Sequence, residues 1–166
     1  MPDALAVITR VIAEHHTIRG HVKLAGDAVN DIEALFTLQR TQSGWSQTSI
    51  TGLIDKQRQL LQTLNFLEEG LKNHFGFEEK ALPPLFGDLL MKALLYAHRQ
   101  ISKQIDGVKT SLANVKLEGL DQHELLSKRS VIQQDINNLL QAVEEHAHHE
   151  EIILNMIKKA LEGNTA

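Results

Sequence analysis

Two segments of this sequence place a histidine and a glutamate at the same spacing. Both read H-x-x-x-E-E-x-x-L, one beginning at His74 and the other at His146. Residues four apart lie on one face of an α-helix, so each histidine shares its face with the glutamate four positions later, Glu78 or Glu150. Burying such groups is costly unless something pairs with them or coordinates them. A metal ion is the simplest compensation, and two such segments together with two further histidines indicate two ions.

Two further histidines interrupt apolar rows of the heptad pattern in the same way. His15 shares its row with Ile8, Val22 and Val29, and His98 shares its row with Met91, Ile105 and Leu112. The polar residues on rows that should be buried are mostly six candidate metal ligands. These are His15, His74, Glu78, His98, His146 and Glu150.

The arrangement repeats along the chain. E-H-H-T-I at residues 14–18 precedes the first H-x-x-x-E-E segment, and A-H-R-Q-I at residues 97–101 precedes the second. Counted from the predicted turns, the four histidines fall in one layer of a bundle, with a largest mismatch of about four residues or roughly 6 Å. Each half supplies a lone histidine and then a His/Glu pair, which predicts a site with approximate two-fold symmetry.

Long helices must hold these residues. Hydrophobic residues make up 42% and aromatic residues only 4% of the 166 residues, and such a composition favours helix. Polar or proline-containing turns divide the chain near residues 41–49, 83–87 and 116–121. The predicted helices are residues 3–41, 50–82, 88–117 and 121–162. We expect an all-α fold, an up-down-up-down antiparallel four-helix bundle, with residues 1–166 forming a single domain.

Composition excludes several classes of function. The absence of cysteine excludes disulfides, thiolate zinc sites and cysteine-ligated iron–sulfur clusters. A net charge of −4 leaves no basic footprint for nucleic acid. The first residues contain Asp3 and no apolar run, and no segment approaches the length of a membrane span. We therefore expect no membrane or nucleic-acid partner and a cytoplasmic location.

The chain resembles the hemerythrin-like (HHE cation-binding) family over essentially its whole length. The family's lone-histidine motif falls on His15 and His98, and its H-x-x-x-E-E motif begins at His74 and His146. The resemblance implies a bundle that holds two iron ions, oxo- or hydroxo-bridged, with terminal histidines and two bridging carboxylates. The oxygen carriers of this family have an H-x-x-x-H motif on the third helix. In this chain, the position four residues after His98 is occupied by Ser102.

That departure makes the site more similar to bacterial di-iron proteins associated with iron–sulfur cluster repair and nitrosative stress. The implied partners are O₂, NO or peroxide, together with an electron donor or protein partner that the sequence does not identify. Histidine and carboxylate ligands also suit Zn or Mn. The alternative hypothesis is a metal-free interaction or phosphotransfer bundle with His16 as its exposed reactive residue. That hypothesis leaves the six polar core residues unexplained.

The neighbours of the six candidates are assigned by the same heptad rows. His16, Glu79, His148 and Glu151 fall on solvated faces, so we expect their substitution to have little effect. His149 lies on a mixed row. Glu14 and Glu145 each precede a candidate ligand, and they are either solvated or orient an imidazole.

Overall fold

Helices make up almost all of the part of the chain that the computed structural model describes, residues 3–41, 47–114 and 122–163. The four helices are α1 (Ala4–Thr41), α2 (Gln47–Ala81), α3 (Pro83–Asn114) and α4 (Gln122–Gly163). The predicted all-α fold is confirmed. The first and third predicted turns fall mainly on residues 42–46 and 115–121, which lie outside the described residues.

The helices close into a four-helix bundle. Each helix packs against its neighbours in sequence, and α1 also packs against α4. This arrangement brings one face of every helix to a common axis, where residues from all four can meet. No helix in the described ranges is long and apolar enough to cross a membrane.

The turn between α2 and α3 is more helical than the sequence predicts. Residues 83–86, which include two consecutive prolines, form a first helical turn in which Leu85 and Phe86 donate backbone hydrogen bonds to Leu82, both at 2.9 Å. Proline suits this position because the first backbone N–H groups of a helix have no helical partner. Gly87 then adopts φ 72° and ψ 177°, a conformation that favours glycine, and breaks the helix. The long segment of α3 therefore starts at residue 88, as predicted.

In the described part of the chain, most of the buried apolar residues form two separate clusters along the bundle. The larger cluster contains, among others, Ile18, Leu64, Phe75, Ile101 and Val143. The smaller cluster lies toward the proline turn and consists of Val7, Ile8, Val11, Leu82, Phe86, Met91, Leu94 and Leu154. Between them the helices carry polar residues: His15 lies between Val11 and Ile18 of α1, and His98 lies between Leu94 and Ile101 of α3.

Candidate metal centre

All six candidate ligands meet in the layer between the two apolar clusters. His15, His74, Glu78, His98 and Glu150 are buried, and His146 is half-buried. Each helix contributes at least one of them, and α2 and α4 contribute a His/Glu pair at i, i+4 as predicted. Their ligand atoms form two groups of four, and the atoms of each group lie within 4.8 Å of one another.

We call the first group position A. It consists of His15, His74 and one oxygen of each of the two carboxylates. His15 Nε2 lies 3.5 Å from Glu78 Oε1 and 3.2 Å from Glu150 Oε1, and His74 Nε2 lies 2.5 Å from Glu78 Oε1. Two imidazoles from α1 and α2 thus face the same pair of oxygens.

We call the second group position B. It consists of His98, His146 and the same two carboxylates, whose other oxygens lie nearest to these two imidazoles. His98 Nε2 lies 3.0 Å from Glu78 Oε2, and His146 Nε2 lies 3.3 Å from Glu150 Oε2. Each carboxylate therefore presents one oxygen to each position, so each could serve as a ligand at both.

The inward-facing polar atoms of these residues have no hydrogen-bond partner. The unsatisfied atoms include Nε2 of all four histidines and both carboxylate oxygens of both glutamates. A buried polar atom left without a partner costs roughly 1–3 kcal/mol, and native proteins rarely accumulate such atoms. Imidazole nitrogen with carboxylate oxygen is a donor set that suits Fe, Mn or Zn, so the residues present fit a pair of transition-metal ions.

Proton affinity at the centre is strongly perturbed. Burial would lower the pKa of His15, but the close negative charges of Glu150 and Glu78, 3.2 and 3.5 Å from Nε2, raise it from 6.5 to about 10. The pKa of His98 is also raised, against the effect of burial, by Glu78 and Glu79. Burial would raise the pKa of Glu78, yet its contacts with three histidines hold that pKa well below its usual range. A bound cation would therefore compete with protons for these nitrogen and oxygen atoms.

A second set of carboxylates binds the outer nitrogens of the histidines. The Nδ1 atoms of His15, His74 and His98 lie 3.2 Å from Glu151, 3.2 Å from Glu14 and 2.9 Å from Glu79, respectively. An imidazole that donates its Nδ1–H to a carboxylate keeps the Nε2 lone pair free for a metal and holds the ring in place. The outer contacts therefore set both the tautomer and the direction of three of the four rings.

These contacts correct part of the sequence interpretation. The prediction that Glu151 lies on a solvated face is wrong, because its side chain is only 18% exposed and contacts both His15 and Arg19. Glu79 is exposed as predicted, yet it still reaches His98. An ideal heptad row describes where a Cα lies, whereas a glutamate side chain is long enough to reach across to the neighbouring helix. Glu14 orients an imidazole, which was one of its two predicted roles.

The remaining neighbours lie away from the centre. Glu145 accepts a hydrogen bond from Gln141 at 2.9 Å and is exposed, so it is the solvated one of the two predicted alternatives. His16, His148 and His149 are also exposed. None of these four residues belongs to either group of ligand atoms in the described part of the chain.

Sequence reasoning missed two further residues. Arg19 binds Glu151 through both of its terminal nitrogens, at 2.7 and 3.0 Å, and lowers the pKa of that carboxyl. The ring of Phe75 stacks on His98 with 3.8 Å between centroids and meets His146 edge-on at 5.7 Å. The available signal for Arg19 was its position four residues after His15, and for Phe75 its position directly after His74.

Comparison with known families gives one match. The model of the hemerythrin HHE cation-binding domain matches residues 6–157, a range that contains all six residues of the centre. The comparisons with curated proteins and with solved structures found no match.

Proposed function

The chain belongs to the hemerythrin HHE cation-binding family, and on that premise we propose that its cations are two iron ions held at positions A and B. The ligands in this proposal are His15, His74, Glu78, His98, His146 and Glu150. We further propose that the protein binds, senses or reacts with O₂, NO or peroxide, or handles iron under oxidative or nitrosative stress in the cytoplasm.

One observation carries the proposal: two groups of buried, unsatisfied ligand atoms share the same two carboxylates. Glu78 and Glu150 each contribute one oxygen to either group, so a single ion would leave half of the unsatisfied atoms without a partner. A metal-free interaction or phosphotransfer bundle would leave all of these atoms without a partner. The exposed His16 could carry a phosphoryl group, but nothing in the centre would serve that reaction.

The surrounding residues define what the centre can do. Glu14, Glu79 and Glu151 hold the imidazoles with Nε2 toward the ions, and the apolar clusters on both sides exclude bulk water. Two imidazoles and two carboxylate oxygens at each position would leave a bound ion room for a small exogenous ligand. Bound iron would supply the redox chemistry toward O₂, NO or peroxide, which the amino-acid side chains alone cannot provide.

The third helix distinguishes a reactive centre from a reversible carrier. Ser102 occupies the position four residues after His98 and is half-buried, so α3 brings only one imidazole to the centre. A position with fewer nitrogen ligands is more open to entering molecules. We therefore propose that the reduced protein reacts with O₂ or NO rather than storing O₂ reversibly.

Metal analysis tests the proposal directly. Protein produced with iron available should contain close to two iron ions per chain and show an optical spectrum that changes on addition of NO. Glu150→Ala should lose most of the bound iron, whereas Glu145→Ala, which removes a nearby exposed carboxylate, should retain it. A folded protein that binds neither Fe, Mn nor Zn would refute the metal centre. Zinc binding without iron binding would refute the proposed redox role.

A further inference from the structure

The ligands of the centre obey a two-fold relation between helix pairs. Matching the two halves of the sequence repeat places α1 on α3 and α2 on α4, so that His15 corresponds to His98 and Glu78 to Glu150. The structure follows this relation at the ligands, since positions A and B contain the same types of atoms. The relation also holds for one outer contact, because Glu151 on His15 corresponds to Glu79 on His98.

The residues that support the ligands do not obey the relation. On α1 they are charged, and at the corresponding positions of α3 they are small. The corresponding pairs are Arg10 with Ala93, Glu14 with Ala97 and Arg19 with Ser102. A symmetric set of ligands therefore lies in an asymmetric setting.

Position A is supported by two chains of charged contacts. Arg19 binds Glu151 in a bidentate pair, and Glu151 in turn binds His15. Arg10 contacts Glu14 at 3.0 Å, and Glu14 binds His74. Both imidazoles of position A thus contact a carboxylate that also pairs with an arginine, and the pair of Arg19 with Glu151 is bidentate and partly buried.

Position B has a weaker support. Glu79 binds His98, but its side chain is 41% exposed and, within the described ranges, it pairs with no lysine or arginine. No carboxylate of the described residues contacts His146 Nδ1, because Ala97 stands where Glu14 stands in the other half. The side chain of His146 is 13% exposed, compared with 1%, 2% and 4% for those of His15, His74 and His98.

We propose that the two positions retain metal unequally: position A is the permanent one, and position B is the exchangeable one, from which an ion is lost or passed on first. This inference rests on the proposed dinuclear centre. Outer partners of ligating histidines typically change metal affinity by 10- to 100-fold. Position A has such a partner on both histidines, and position B has one on His98 alone.

Release of iron to a chelator tests this inequality without any assay of activity. The protein is loaded anaerobically with two equivalents of Fe²⁺, and excess chromogenic ferrous chelator is added. We expect two phases of one equivalent each. Glu151→Gln should accelerate the slow phase roughly tenfold or more, and Glu79→Gln should accelerate the fast phase. Glu145→Gln, which alters a carboxylate next to His146 that touches no imidazole of the centre, is the matched control and should change neither phase.

A gain of retention provides the stronger test. Ala97→Glu supplies the missing carboxylate beside His146 and should slow the fast phase about tenfold or more while the slow phase stays unchanged. Ser102→Arg gives Glu79 an arginine partner. It replaces Ala97→Glu in this test, with the same expected slowing of the fast phase, if that variant fails to fold.

Two equivalents released in a single phase by the native protein would overturn the inequality and leave the dinuclear proposal intact. Acceleration of the fast rather than the slow phase by Glu151→Gln would overturn the assignment of the phases. Failure of the native protein to load two equivalents would instead refute the proposed function.

Discussion

Glu78→Gln isolates the contribution of the shared carboxylate to metal binding. The substitution keeps the shape of the side chain and removes the charge that faces His15, His74 and His98. Because Glu78 contributes an oxygen to both positions, one substitution should weaken both ions. The neutral amide that replaces it is a poor ligand for Fe, Mn or Zn.

The expected magnitude follows from linkage. At a free metal concentration 100 times the dissociation constant, each occupied position stabilises the folded state by about 2.7 kcal/mol. Two positions contribute about 5.4 kcal/mol, and a chain of this size gains roughly 2–4 °C in melting temperature per kcal/mol. Metal should therefore raise the melting temperature of the native protein by roughly 11–22 °C. In Glu78→Gln the metal-induced rise should shrink to a few degrees.

Thermal unfolding followed by circular dichroism, with and without metal, measures this quantity. Each variant is compared with its own metal-free form, because removing one partner of a buried charged cluster costs roughly 3–5 kcal/mol in the absence of metal as well. Glu145→Gln, an exposed and nearby carboxylate, should show the full rise. A full rise in Glu78→Gln would refute the argument that this carboxylate belongs to both positions.

Three further outcomes are expected. In the metal-free protein the raised pKa of His15 stabilises the fold below about pH 6.5 and ceases to do so toward pH 10, and the lowered pKa of Glu78 stabilises it above about pH 4.5. Urea titrations of the metal-free protein should therefore give the largest free energy of unfolding between about pH 4.5 and about pH 6.5. Stopped-flow mixing of the reduced iron form with O₂ should show oxidation without a stable, reversible oxygenated state. A stable, reversible oxygenated state would indicate an oxygen carrier and contradict the proposal. Ser102→His should slow the oxidation if the new histidine adds a ligand. Gly87→Ala should lower stability by roughly 1–3 kcal/mol in chemical denaturation, because φ 72° with ψ 177° is a conformation that essentially only glycine adopts, and leave the metal content unchanged.

The sequence was sufficient to predict the bundle and the meeting of the six residues. Apolar rows with a period of seven fix which face of each helix is buried, so a histidine or glutamate on such a row must point into the core. Equal distances from the predicted proline turn then place His74 and His98 at one height. These inferences depend only on the regular geometry of a helix.

The outer contacts were beyond the same reasoning. Whether Glu151 reaches His15 depends on how α4 is rotated and spaced against α1, and on the rotamer of a long side chain. A heptad row contains neither quantity, so Glu79 and Glu151 were assigned to solvent alone. The helical turn before Gly87 was missed for a related reason: proline stops a preceding helix but also suits the first positions of the next one.

The division of the core into two apolar clusters bears on how the protein unfolds. The cluster near the proline turn is the smaller one, and the layer of unsatisfied polar atoms separates it from the larger one. Without metal, little couples the two ends of the bundle, so the smaller end should open on its own and exchange its amide hydrogens well before the rest. Bound ions would join residues from all four helices across that layer and make the bundle unfold as one unit. The cooperativity of unfolding would then increase with metal occupancy. Local opening of the smaller end would give ions a path into and out of the centre.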